Sequence, residues 1–146
     1  MAGARFSYSR GDLRRSGPKI RVTITHPATT LALAKQSQKE LKQPWTITAL
    51  IDTGASRTVI NPEVATTCGL RQTGEARISA AGQISLRPEF AGAICFPDAN
   101  LQNFDPMNLV ACPLPEQDVS CLLGRDVLER WNLHYDGRTG EVDVEE

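Results

Sequence analysis

The sequence is poor in the residues that build metal and redox sites. It holds 4 cysteines and 2 histidines among 146 residues. The cysteines are widely spaced without a C-x-x-C pair, and His26 and His134 lie far apart, so neither residue type forms a metal-binding motif. We therefore expect no metal and no cofactor, and we expect the cysteines to be free thiols in a reducing compartment.

Aromatic residues and long apolar runs are scarce as well. Phe, Trp and Tyr make up 5% of the chain, so the core must be mostly aliphatic. No apolar run approaches the roughly 18 residues of a membrane span, and no apolar signal segment follows Met1. These absences predict a cytoplasmic protein that does not have a membrane as a partner.

Neither sign of charge dominates the chain. The formal net charge is −1, so nucleic acid is not expected to bind across the whole surface. The charges are uneven, because residues 1–21 carry six bases and one acid whereas residues 141–146 carry four acids. Residues 1–19 are basic and rich in Ser and Gly, which predicts an arm with weak order until something ties it down. A solvated or partner-seeking arm is the favoured interpretation, and a nucleic-acid tether stays open.

Short strand-like runs make up most of what the sequence does contain. Apolar and polar residues alternate in the first run, and the later runs are rich in β-branched residues or continuously apolar. At this length we expect one domain of mostly β class. Strands are predicted at 20–25, 45–51, 58–60, 77–79, 84–86, 91–96, 109–112, 119–123 and 141–144.

Helices are expected to be few and short. Asn61 and Pro62 are suited to start a helix at 62–68, and Gly69 is suited to end it. Apolar residues at helical spacing predict a second helix at 125–131. We therefore expect one or two short helices in the domain.

One short motif carries chemistry. Asp52-Thr53-Gly54 follows an apolar strand and is itself followed by the small residues Ala55 and Ser56. Taken alone, the motif is also consistent with an ordinary turn after a strand, since Asp and Gly are both turn formers. The motif lies between two predicted apolar strands, one ending at the Asp and the other beginning shortly after the Gly. This context favours a functional loop.

A second segment further along the chain extends this pattern. An apolar run ends in Leu123-Gly124-Arg125 and enters a short helix. With both segments in this order and spacing, the chain resembles the retropepsin family, the aspartic proteases of retroviruses and their cellular and bacterial relatives. The resemblance covers roughly 46–60 and 119–142. It implies a closed β-barrel of the retropepsin-like acid-protease fold, in which the two segments cross beneath the active site.

The resemblance implies that Asp52 is the catalytic carboxylate of an aspartic endopeptidase. In the family, two such carboxylates share one proton and hold a water, because like charges so close cannot both ionise. One takes the proton of the water while the other donates to the scissile carbonyl oxygen. This chain has one D-[TS]-G motif. Its implied partners are therefore a second copy of itself, in an active homodimer, and a polypeptide substrate.

Further roles follow from the resemblance. Thr53 is expected to bond across the dimer axis, and Gly54 to let the backbone lie close to the two carboxylates. Leu123, Gly124 and Arg125 are expected to support the site from below.

Substrate-binding roles follow in the same way. Ala55 and Ser56 are expected to line a cleft in which an extended peptide adds as a strand. The hairpin at 77–86 is expected to be a flap that closes over the substrate. Its tip consists of Ala80, Ala81 and Gly82.

The chain departs from the family at a few positions. Ser56 stands where retroviral members often have an acid that pairs with the Arg of the late helix. Arg125 must therefore find another partner, either a carbonyl or Asp126. Residues 20–146 are expected to be the protease domain, and 28–43 an insertion with room for a short helix over 31–41.

Two hypotheses remain on this basis. The first is the homodimeric endopeptidase. The alternative is a catalytically silent retropepsin-fold module for dimerisation or peptide binding. The intact Asp52, Thr53 and Gly54 favour the enzyme, because a binding module has no physical need for paired carboxylates. In either case, the opposite charges of 1–21 and 141–146 suggest that the arm packs near the acidic tail of the same or the partner subunit.

Overall fold

A computed structural model describes residues 2–116 and 118–146. In these residues the chain forms ten strands and four helices. The strands are β1 (Gly3–Ser7), β2 (Lys19–Thr25), β3 (Trp45–Ile51), β4 (Val59–Ile60), β5 (Arg71–Ala80), β6 (Gln83–Cys95), β7 (Phe104–Ala111), β8 (Cys121–Leu123), β9 (Asn132–Asp136) and β10 (Glu141–Glu145). The helices are α1 (Arg10–Ser16), α2 (Ala28–Gln36), α3 (Pro62–Cys68) and α4 (Arg125–Leu128).

The larger sheet closes into a barrel. Its seven strands follow the order β2-β3-β8-β4-β7-β6-β5. The long strand β6 also pairs with β2, where Ile94 lies opposite Ile24, and this second pairing closes the sheet. The mostly β, closed-barrel fold predicted from the sequence is confirmed.

The core of the barrel is mostly aliphatic. Ile20, Val22 and Ile24, the apolar positions of the alternating strand β2, are each at most 4% exposed. Burying each such side chain contributes about 1.5–3 kcal/mol, so the period-2 pattern decides which face of the strand turns inward. Few aromatic residues take part. Phe104 packs edge-on against Phe96 and Trp131, which are tilted relative to each other, within the same core.

Strand β8 lies between β3 and β4. It runs parallel to β3, with Leu123 opposite Ile51, and antiparallel to β4, with Leu122 opposite Val59. The chain therefore leaves β3, passes the end of β8 and returns on the other side as β4. This crossing places the loop at 52–58 directly beside the Gly-Arg segment that follows β8.

The N-terminal residues are tied down by the C-terminal strand of the same chain. β1 pairs antiparallel with β10, which also pairs with β9 to complete a three-stranded sheet. Arg5 Nε donates to Asp143 Oδ1 at 2.5 Å across this pair. The basic and acidic ends of the chain thus meet within one subunit.

The expectation of one or two short helices is wrong, because the described residues contain four. Helix α1 lies in the segment for which weak order was expected. Ser9 Oγ accepts the backbone N–H of Asp12 at 3.1 Å, and Leu13 is 1% exposed. A capped first turn and one buried anchor therefore order this short polar stretch.

The other helices differ from prediction at their ends. Helix α2 occupies 28–36 rather than 31–41, because Gln38 adopts a positive φ of 56° that a right-handed helix cannot continue through. Helix α3 has the predicted bounds. Helix α4 ends at Leu128 rather than at 131. None of the described helices is long and apolar enough to cross a membrane.

Candidate active site

Asp52 lies at the end of β3, where the crossing begins. Its backbone N–H donates to Leu123 O at 3.0 Å, which joins the residue to β8. Its carboxylate accepts the Gly54 N–H at 2.9 Å through Oδ1. A Cβ on Gly54 would lie 3.2 Å from that same oxygen, so the absent side chain leaves room for the carboxylate. Asp52 itself is half-buried, with its carboxylate oriented by the loop.

Arg125 fastens the loop to the start of α4. Its backbone N–H donates to Ala55 O at 2.8 Å, and its Nη1 donates to Thr53 O at 2.7 Å. Of the two partners considered from the sequence, a carbonyl or Asp126, the structure has the carbonyl. The loop is thus held by two hydrogen bonds from one residue.

Asp126 fastens the far end of the loop. Its carboxylate accepts the backbone N–H of Thr58 at 2.9 Å, the hydroxyl of Thr58 at 2.7 Å and the N–H of Val127 at 3.0 Å. Thr58 is fully buried, and its hydroxyl oxygen accepts the Gly124 N–H at 3.1 Å. Hydrogen bonds to a carboxylate are among the stronger ones in proteins, so this cluster is a firm connection between the two crossing segments.

Gly124 marks the closest approach of those segments. A Cβ at this position would lie 2.5 Å from both the backbone carbonyl carbon and oxygen of Arg57. Backbone atoms cannot move aside as the end of a side chain can. Only glycine therefore allows the crossing at this distance.

Cys121 lies in β8, beneath the crossing. It is fully buried, and this burial, together with the nearby negative charge of Asp126, strongly raises the pKa of its thiol. The four cysteines are free. Cys121 is therefore a protonated, inert core residue rather than a nucleophile.

A cavity of about 690 Å³ opens over the loop. Its floor is the Asp52 loop, one wall is β5 and the other is the segment after β7. Polar and apolar residues both line it, and Asp52 belongs to the floor. The lining residues are Asp52, Gly54, Ala55, Ser56, Arg57, Val59, Arg77, Ile78, Ser79, Ala80, Cys112, Pro113, Leu114, Pro115, Leu122 and Arg125.

Comparison with known proteins agrees with this geometry. A family model described as "gag-polyprotein putative aspartyl protease" matches residues 37–130, more than half of the chain. The chain belongs to this family. The retropepsin-like identity predicted from the two motifs is therefore confirmed, and both motifs lie within the matched residues.

Among solved structures, the chain is similar to the crystal structure of a retropepsin-like aspartic protease from Rickettsia conorii. The TM-score is 0.52 at 15% sequence identity, and the match covers 97% of this chain and 89% of that chain. At this low identity the likeness shows the fold. No curated protein sequence matches the chain.

In this aspartyl protease family member, the predicted hairpin is longer than 77–86. β5 and β6 pair from Arg71 to Ala80, and a two-residue turn of Ala81 and Gly82 joins them. Both turn residues have positive φ, 51° and 77°, as a type I′ turn requires. The turn is exposed, and a Cβ on Gly82 would meet nothing within 4 Å.

The structure brings most of the predicted site residues together around one cavity. Six of them line it. Thr53 is exposed, and its hydroxyl makes no hydrogen bond among the residues described. Leu123 and Gly124 lie buried beneath the floor rather than on it, and Ala81 and Gly82 lie at the hairpin tip beyond the lining. The six lining residues are Asp52, Gly54, Ala55, Ser56, Ala80 and Arg125.

Sequence reasoning missed other residues around the candidate site. It overlooked Thr58 and considered Asp126 only as a partner of Arg125, although a Thr in an apolar strand and an Asp opening a helix are usable signals for a buried hydrogen-bonded pair. It also overlooked Arg57, which lines the cavity and forms an ion pair with Glu89 of β6. The alternation along β5 could have indicated that Ile78 shares a face with Ala76 and Ala80.

Proposed function

We propose that the chain is an aspartic endopeptidase that hydrolyses extended polypeptides as a homodimer, through a water activated by Asp52 of each copy. The observation that carries this proposal is the position of Asp52 on the floor of the cavity, with its carboxylate held by the Gly54 N–H. The loop that holds it is anchored to β8 and α4 by the hydrogen bonds of Asp52, Arg125 and Asp126. Such anchoring supports a role in which the carboxylate must keep a fixed position.

The chemistry needs two carboxylates with one shared proton. The ionised carboxylate takes a proton from the water, whose oxygen bonds to the carbonyl carbon of the scissile peptide. The protonated carboxylate donates its proton to the carbonyl oxygen at the same time. The tetrahedral intermediate then collapses, the C–N bond breaks, and the leaving nitrogen takes a proton from the pair. Two like charges held close together favour this sharing, because one of them stays protonated.

The second carboxylate comes from a second copy in this proposal. The sequence holds one D-[TS]-G motif, which accounts for half of the required pair. A two-fold axis beside Asp52 would supply the other half from an identical loop. The exposed Thr53, whose hydroxyl has no hydrogen-bond partner among the described residues, is available for a bond to the partner loop.

The substrate fits the cavity as an added strand. β5 is the last strand of the barrel sheet, so one of its edges has no neighbouring strand in the described fold. An extended peptide can pair with such an edge while its side chains enter the cleft. Val59, Ile78 and Leu122 supply apolar surface there. In this arrangement the hairpin acts as the flap that covers the bound peptide.

The variant Asp52→Asn tests the carboxylate. It keeps the shape and an acceptor for the Gly54 N–H but removes the charge and the shared proton. We expect kcat/KM on a peptide library to fall ~10³-fold, with circular dichroism and sedimentation unchanged. Asp98→Asn, at an exposed carboxylate that pairs with Arg21, is the matched control and should keep full activity. Full turnover by Asp52→Asn would refute the proposal, and a wild type that binds peptides without cleaving them would point to the silent module.

Subunit mixing tests the homodimer. Adding excess Asp52→Asn subunits to wild type should reduce activity beyond simple dilution, because mixed dimers hold one competent carboxylate. Specific activity should also fall as the wild type is diluted through the dissociation constant seen in sedimentation. Activity that is strictly proportional to concentration, from a species that sediments as a monomer, would contradict a shared site.

A further inference from the structure

The charged side chains that line the cavity are mostly basic. Among the described residues that line the cavity, Asp52 is the one acid, and three arginines lie with it: Arg57, Arg77 and Arg125. If the shared proton of the proposed mechanism is present, the pair of Asp52 carboxylates carries a single negative charge for the whole dimer. The two copies together would then contribute six arginines to the lining beside that single negative charge.

Two of the three arginines already have partners within the chain. Arg125 donates to Thr53 O on the floor, and Arg57 is paired with Glu89, whose side chain is 17% exposed. Arg77 differs from both. It is exposed on β5, and it makes no side-chain hydrogen bond or ion pair with any described residue. Its positive charge is therefore available to a ligand in the cleft.

The position of Arg77 relates it to a bound peptide. It immediately precedes Ile78, which lines the apolar part of the cavity, on the strand whose edge the substrate is proposed to join. Successive side chains of a strand point to opposite faces, so Arg77 and Ile78 line the cavity from different faces of β5 and would meet different side chains of a bound peptide.

We propose that Arg77 is a specificity-determining residue, which selects polypeptides that carry an Asp or Glu within about four residues of the scissile bond. The inference rests on the proposed function, because it concerns the substrate of the same site. Its physical basis is charge complementarity between a free guanidinium and a substrate carboxylate. The interaction is partly exposed to solvent, so it acts on substrate choice and KM and weakens in salt.

The test uses two fluorogenic peptides that share one apolar scissile pair and differ in having Glu or Gln three residues from it. We expect wild type to favour the Glu peptide about fivefold in kcat/KM at low salt. The preference should be smaller in about 0.5 M NaCl, because salt at that concentration screens exposed charges that are more than a few ångströms apart. Arg77→Gln should bring the ratio close to one, whereas Arg77→Lys should retain most of it. Arg71→Gln, at an exposed arginine on the same strand outside the cavity, is the matched control and should leave the ratio unchanged.

A binding measurement separates this inference from the proposed function. Fluorescence anisotropy of the same two peptides with Asp52→Asn reports charge preference without requiring cleavage. Cleavage of both peptides at equal rates would overturn the role of Arg77 and leave the endopeptidase intact. Binding that favours Glu in the absence of any cleavage by wild type would support Arg77 and refute the endopeptidase. Equal binding, or no binding of either peptide, would overturn the inference, as would an unchanged preference in Arg77→Gln.

Discussion

The loop that holds Asp52 and the hairpin of β5 and β6 face each other across one cavity, yet they are held in opposite ways. The loop is held by hydrogen bonds to elements that are distant in sequence, such as those from Thr58 to Asp126, 68 residues away. The hairpin beyond Ala76 is held mainly by its own ladder, and Ile84 and Leu86 are 64% and 62% exposed. In the proposed mechanism, the group that must be preorganised is thus built into the core, and the cover that must move lies outside it.

The hairpin changes from buried to largely exposed near Ala76. This residue is 7% exposed and packs with Val59 and Val110 in a small buried cluster at the base of the hairpin. Toward the tip, the described residues of the hairpin are half-buried or exposed. Local stability follows buried contacts, so we expect opening motions to involve the hairpin from this point outward and to leave the loop in place.

The largest effect on stability should come from replacing a glycine at the crossing, and the same change at the hairpin tip should cost much less. Gly124→Ala places a methyl group 2.5 Å from the backbone of Arg57, and we expect the free energy of unfolding to fall by about 3 kcal/mol or more. Gly82→Ala meets no atoms within 4 Å and only strains a positive φ, which costs about 1 kcal/mol. Urea unfolding of both variants measures the difference. Equal losses would mean that the crossing is no more tightly packed than the hairpin tip.

A smaller loss is expected from the carboxylate that fastens the loop. Asp126→Ala removes the acceptor for two groups of the buried Thr58, and buried donors left without partners should cost about 2–3 kcal/mol. Asp126→Asn keeps one acceptor oxygen and should lose less. Chemical denaturation gives the stabilities, and kcat on a fixed peptide shows whether a looser loop also slows the reaction. Wild-type stability in the alanine variant would show that these bonds contribute nothing to the anchoring.

The smallest effect should come from the hairpin turn. Ala81 has a φ of 51°, a conformation that Asn adopts more readily, and Asn-Gly is favoured in type I′ turns. We expect Ala81→Asn to raise the free energy of unfolding by about 0.5–1 kcal/mol. Thermal unfolding measures the gain, with Ser79→Asn on the adjacent strand as a control. A loss of stability would mean that the tip is not held in this turn.

Local signals predicted much of the fold and drew attention to the loop of the candidate site. The alternation of Ile20, Val22 and Ile24 indicated the buried face of β2, and Pro62 and Gly69 marked helix α3 correctly. Asp52 and Gly54 were singled out because the motif is contiguous, and their roles in catalysis stay a prediction. The N-terminal segment was expected to have weak order until something ties it down. Its composition is polar, and it is ordered by pairing with β10 at the other end of the chain.

The sequence by itself determined which residues alternate, which start and end helices, and which loop carries the carboxylate, because each of these follows from neighbours within a few positions. Only the tertiary structure decided that Asp126 holds Thr58, that Arg57 pairs with Glu89 and that Arg77 has no partner among the described residues. These relations join residues brought together by the closing of the barrel, and no local pattern encodes the distance between them.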